Sequence, residues 1–149
     1  MNQVVPNRKE YDPRMHSAEH ILNQTMVRMF NCGRAFSAHI EKKKSKCDYH
    51  FARNLTAEEI TRIEDKVNEV INSDLLIQER ILTLEEAGKI VLLTRLPKSA
   101  GEFVRIISIG NYDTCPCSGV HAFSTKEIGE FRIISSNWAN DTLRIRFKI

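Results

Sequence analysis

Two short motifs far apart in the 149-residue chain carry side chains that bind metals. His16-Ser17-Ala18-Glu19-His20 is an i, i+4 histidine pair. On a helix, both imidazoles would lie on one face, one turn apart. Cys115-Pro116-Cys117-Ser118-Gly119-Val120-His121 offers a thiolate at Cys117 and a third imidazole at His121. Three nitrogens and one sulfur make a soft-to-borderline donor set that suits zinc, Zn2+. Each pair alone has an ordinary explanation, as hydrogen-bonded histidines or as a small buried cysteine. Together, His16, His20, Cys117 and His121 point to one metal site. Four protein ligands usually close a structural zinc, whereas a catalytic zinc keeps three and a water. Two readings therefore stay open. Either the ion accepts a fifth ligand and acidifies an attacking water, or it mainly shapes a pocket.

These motifs need a helix at one end and a firmly rooted loop at the other. Asp12-Pro13 is a helix start, with a carboxylate for free amides and a proline at the first position. The helix is expected over about 13–30, with Gly33 near its end, Ala18, Leu22, Met26 and Met29 as its apolar stripe, and the histidines on another face. Residues 34–41 read as a strand, with Phe36, Ala38 and Ile40 on one side and Ser37 and His39 on the other. Lys42-Lys43-Lys44-Ser45-Lys46 then forms a hairpin tip, and Cys47, Tyr49 and Phe51 alternate on the returning strand. Thr56–Glu59 and Thr83–Glu86 are two capping boxes. The first opens a helix bearing Ile60, Ile63, Val67, Val70 and Ile71; the second opens a short helix that stops at Gly88. Strands are expected at 75–82, 103–109, 129–135 and from 143 onward, with a turn at 137–141. Residues 1–11 read as an arm or edge segment. The 103–109 strand would deliver the cysteine loop, and Cys115 reads as a buried thiol beside it. The pattern is α/β, a two-layer α+β domain with helices packed on a mainly antiparallel sheet, and one domain over 1–149.

The composition is that of an ordinary soluble chain, 42% hydrophobic and 28% charged. No apolar run approaches the roughly 18 residues of a membrane span. The N-terminus has no apolar core of the signal-peptide kind, which favours the cytoplasm, where cysteines serve as ligands or buried thiols. A net charge of +3 permits a nucleic-acid partner without demanding one.

The ordered set of motifs resembles the editing domain of alanyl-tRNA synthetase and its free-standing relatives. The resemblance rests on His16-Ser17-Ala18-Glu19-His20, the Ile63-Glu64, Val67-Asn68 and Ile71 pattern, Cys117-Ser118-Gly119-Val120-His121, Ser124 to Gly129, and Arg144-Ile145. It implies that His16, His20, Cys117 and His121 hold zinc and that the chain removes misactivated serine or glycine from alanine tRNA. Alternatives are seryl-tRNA of the threonine kind, whose synthetase has a similar editing domain, or a catalytically idle, zinc-containing tRNA-binding module. The partner implied is mischarged tRNA, with no membrane and no obligate protein partner. Without aminoacylation or anticodon modules, such a chain would act in trans. Lys42, Lys43 and Lys44 are then either a soluble tip or contacts for tRNA phosphates. His39 faces either solvent or the pocket, and Thr125 falls beside the substrate region. The family usually shows Cys-Gly-Gly-Thr-His, so Val120 removes a hydroxyl and leaves selectivity open. Ser17 stands where threonine is usual.

Overall fold

The computed structural model describes residues 12–91 and 103–149. The arm expected at 1–11 and most of the Pro97 segment lie outside them. Helix α1, Pro13–Phe30, begins as its sequence demands: Asp12 Oδ1 accepts the amides of Arg14 at 3.0 Å and Met15 at 3.2 Å. It ends at Asn31, which takes a left-handed conformation (φ 53°) and donates its amide to Val27, so Gly33 is not needed to stop it. Its apolar face is wider than the stripe read from the sequence, because Met15 and Ile21 are also fully buried.

The strands divide into two antiparallel sheets. The four-stranded sheet runs β1 (Ser37–His39), β2 (Ser45–His50), β7 (Thr142–Lys148), β6 (Arg132–Ala139). The three-stranded sheet runs β3 (Ile77–Thr83), β4 (Phe103–Ile109), β5 (Asp113–Pro116). Helices α1 and α2 (Ala57–Asn72) supply the other side of the main core, and the short α3 (Leu84–Gly88) sits against the smaller sheet. Both expected capping boxes form, Thr56 with Glu59 and Thr83 with Glu86.

Alternation in β7 decides the layering. Leu143, Ile145 and Phe147 are fully buried and meet Cys47 and Tyr49 of β2 with Ile21, Leu22, Ile63 and Val67 of the helices. Arg144, Arg146 and Lys148 take the opposite face. β6 runs four residues beyond its expected end. Asn140 and Asp141 (φ 50° and 58°) supply the two left-handed positions of a tight hairpin, and an irregularity at Ile133/Ser135 absorbs the register change. β1 is only three residues long and forms the sheet edge, which leaves Phe36 half-exposed rather than inward.

α1 is tied to the strands by polar contacts through the core. Tyr49 donates its hydroxyl to Asn23 Oδ1 at 2.8 Å, and Asn23 Oδ1 also accepts the Ala35 amide at 3.1 Å. Thr25 Oγ1 lies 2.7 Å from the Tyr112 hydroxyl at the root of β5. Gly110 makes the turn into β5 at φ 49°, and a Cβ there would press on Leu75 at 3.1 Å.

Thr125, expected near substrate, begins a 3-10 turn, Thr125–Ile128, and is fully buried. Its hydroxyl donates to the carbonyls of Val70 (3.1 Å) and Ile71 (3.0 Å) and accepts the Leu75 amide at 2.9 Å. That hydroxyl closes the C-terminal end of α2 and is committed to the fold. Thr125→Val should therefore lower unfolding free energy by about 1–3 kcal/mol in denaturant titration, the cost of leaving buried partners unpaired. Bound metal should not change.

Candidate metal centre

α1 and the loop after β5 bring the two distant motifs together. His16 and His20 project from α1 and are 3% and 4% exposed. They are largely covered by residues 117–121 and border a cleft on the other side. One ligand atom from each of His16, His20, Cys117 and His121 lies within 4.8 Å of all the others. A four-coordinate site with bonds of about 2.0–2.3 Å needs its donors roughly 3.3–3.8 Å apart. Cys117 Sγ already lies 3.5 Å from His16 Nε2. The three imidazoles crowd together, with ring centres 4.1 to 4.9 Å apart.

The rings are oriented from behind. His16 Nδ1 donates to the Val120 carbonyl at 2.9 Å. His121 Nδ1 sits 3.0 Å from Ser17 Oγ, which also accepts the Ala122 amide at 3.1 Å. His20 Nδ1 faces Asp113 Oδ2 at 3.6 Å. With each Nδ1 turned to an oxygen, each Nε2 is left for the centre, the usual way a protein selects the metal-binding tautomer. Two buried ring nitrogens have no hydrogen-bond partner: His20 Nδ1, which faces Asp113 beyond bonding distance, and His121 Nε2, which faces the centre. An ion among these donors would satisfy His121 Nε2, so the residues fit a metal. The loop itself is held by Arg105, whose Nη1 donates to the carbonyls of Cys117 (2.8 Å) and Gly119 (2.7 Å).

Electrostatics agree with this donor set. Burial raises the Cys117 thiol, but the adjacent imidazoles of His121, His16 and His20 outweigh it and bring the thiol down to about 3. The shift favours the thiolate, the form in which a cysteine binds a metal. Burial lowers His20, yet Asp113 and Cys117 overcome this and raise it to about 9. His121 is pushed down to about 4, chiefly by burial. Asp113 is opposed by burial but held down at about 2 by His20 and Arg34. Arg34 meets it with two nitrogens, at 2.6 and 3.2 Å, and Gln24 adds a bond of 2.9 Å.

Beside the centre opens a cleft of about 320 Å³ lined by His16, Glu19, His20, Asn23, Arg34, Ala35, Cys115, Pro116 and Cys117. Cys115 is only partly buried, not the enclosed thiol expected, and burial near Asp113 raises it to about 11 despite Arg34. Of the other expected contacts, Val120 contributes its carbonyl to His16 while its side chain is 38% exposed. His39 and Lys44 line a separate cleft, and Lys42 and Lys43 are exposed beside it. Asp113, Arg34, Gln24, Ser17 and Arg105 escaped the sequence reading. Their partners lie between 12 and 105 positions away, and no local spacing announces them.

Comparison with known proteins adds an independent line. A family model described as the threonyl and alanyl tRNA synthetase second additional domain matches residues 104–145. An alanine–tRNA ligase of Coxiella burnetii is 34% identical over 126 residues, covering 83% of this chain and 14% of the relative. One of Fervidobacterium nodosum is 30% identical over 137 residues, 91% of this chain and 16% of the relative. A third, from Neisseria meningitidis serogroup B, is 33% identical over 129 residues, 82% of this chain. The chain thus spans about a seventh of the length of the curated relatives it matches.

Asp113→Asn should weaken metal affinity by about 10–100-fold in competition with a chelator, because His20 loses its anionic support. Unchanged affinity would show that Arg34 and Asp113 serve folding alone.

Proposed function

The chain belongs to the alanyl- and threonyl-tRNA synthetase editing-domain family, and from that membership we propose that it is an aminoacyl-tRNA deacylase. In this reading it removes serine or glycine from mischarged alanine tRNA, in the cytoplasm, with zinc held by His16, His20, Cys117 and His121. The observation that carries the reading is a thiol and three imidazoles converging beside an open cleft. When bound there, zinc supplies Lewis acidity beside the ester.

The chain's own groups account for positioning. Glu19 lies on the cleft wall, bonded to Asn23 at 2.6 Å and 3.7 Å from His16 Nε2. Its carboxylate is placed to receive the α-ammonium of an aminoacyl ester. Arg34, fixed on Asp113, holds the opposite charge at the same wall and can meet a phosphate or ribose oxygen. A cleft of this size suits a small aminoacyl group with its terminal sugar. Ester hydrolysis is chemically undemanding, so orientation of the carbonyl supplies much of the acceleration. The relatives' names favour the alanine over the threonine tRNA.

The test is deacylation of Ser-tRNA(Ala), Gly-tRNA(Ala), Ser-tRNA(Thr) and correctly charged Ala-tRNA(Ala), with metal content measured alongside. Serine or glycine should leave alanine tRNA fastest, with alanine spared. Cys117→Ala should lose metal and activity together. Faster release from Ser-tRNA(Thr) would transfer the assignment to threonine tRNA. Full activity in a metal-free Cys117→Ala form would overturn the zinc dependence, and none in a fully loaded wild type would overturn the hydrolase.

A further inference from the structure

The face of the four-stranded sheet that turns away from the helices is cationic. On β2 and β7 the apolar core positions are Cys47, Tyr49, Leu143, Ile145 and Phe147, so Lys46, Arg144, Arg146 and Lys148 take the outer side. Register puts Lys46 directly opposite Arg146, with His39 of β1 opposite Lys46 and Arg132 of β6 opposite Lys148. Two of these charges are compensated. Arg144 meets Asp48 at 2.8 and 2.9 Å, and Arg132 meets Glu130 at 3.0 Å. Among the described residues, Lys44, Lys46 and Lys148 make no ion pair, and Arg146 donates to the neutral Asn137 Oδ1 at 3.1 Å. Like charges directly opposite on neighbouring strands destabilise a sheet. Here they surround a cleft of about 220 Å³ lined by His39, Glu41, Lys44, Ser45, Lys46 and Arg146. Polyanion binding would offset that cost.

A second feature says which polyanion. Phe36 is 49% exposed, and its ring stacks on His50 of β2 at 4.0 Å with 13° between the planes. His50 alternates with Lys46 and Asp48, so the aromatic pair belongs to the same outer face. Phe36 also follows Arg34 and Ala35, which line the cleft at the metal centre. From Phe36 to His39 the edge strand advances about 10 Å. A flat aromatic step beside a row of cations is the arrangement that holds single-stranded nucleic acid, stacking bases and tracking phosphates.

We propose that the unpaired end of an RNA passes from the metal-centre cleft over Ala35, stacks a base on Phe36 and His50, and lays its phosphates along Lys44, Lys46 and Arg146. The direction of travel rests on the deacylase reading; the binding surface stands on its own geometry. The tip residues Lys42 and Lys43 are peripheral to it.

The test uses an uncharged tRNA acceptor minihelix with its unpaired 3′ end, bound at a series of salt concentrations from 50 to about 200 mM. Lys46→Gln/Arg146→Gln should flatten the slope of log affinity against log salt by about 1.4–1.8, or 0.7–0.9 for each cation removed. Phe36→Ala should keep the slope and lose about 5- to 150-fold in affinity for the minihelix. On a blunt duplex it should match the wild type. Metal content and thermal unfolding check that each variant is folded. An unchanged slope in Lys46→Gln/Arg146→Gln, or a slope carried by Lys42→Gln/Lys43→Gln instead, would overturn the surface. Equal losses on minihelix and blunt duplex would overturn the stacking step. Because no turnover is measured, a flattened slope without deacylation would sink only the enzymatic reading. Normal deacylation with an unchanged slope would sink only this surface.

Discussion

The structure depends on the closure of residues 117–121 over the histidine pair of α1. Packing three imidazoles and a thiolate into a few ångströms removes polar groups from water, which is unfavourable unless each finds a partner. His16 and His121 each set Nδ1 against an oxygen within bonding distance and His20 Nδ1 faces Asp113 at 3.6 Å, yet His121 Nε2 has nothing to bond. A metal ion would resolve that imbalance and make the convergence favourable. The elements around it act as a clamp. Asp12 fixes the start of α1, Thr25 and Tyr112 tie its middle to the root of β5, and Arg105 grips the loop by two carbonyls.

Asp113 links this clamp to charge. It sits at the first position of β5, almost fully buried, between His20 and the guanidinium of Arg34. A carboxylate removed from water in this way needs strong partners. Arg34 and His20 supply them, so Asp113 stays ionised and can orient the imidazole. The segment carrying Arg34 then continues into the edge strand. The same stretch of chain that supports the metal centre therefore leads to the outer face of the sheet. β7 divides that sheet into its two roles: apolar residues bind it to the helices, and alternate cations are left on the other side.

What could be read in the sequence was what local spacing encodes. The i, i+4 histidines, the four-residue spacing from Cys117 to His121, both capping boxes and the alternation of β7 all depend on neighbours within a turn or a few strand residues. Their structural consequences follow directly. Contacts set by tertiary approach were not legible. Asp113 looks like the far side of a turn until β5 brings it under His20. Thr125 sits in a stretch that resembles a substrate region, but the end of α2 arrives first and uses its hydroxyl. Phe36 alternates like an inward residue, although a three-residue edge strand has too little cover to bury it. Cys115 shares its short motif with Cys117, and only the opening of the cleft decides that it is partly exposed.

The central claim is that His16, His20, Cys117 and His121 share one metal ion, and zinc-edge X-ray absorption of the purified protein tests it most directly. The account predicts stoichiometric metal with one sulfur neighbour at about 2.3 Å and nitrogen neighbours at about 2.0–2.1 Å. Loss of the sulfur shell in Cys117→Ser would identify its source. A metal bound without any sulfur neighbour would contradict it.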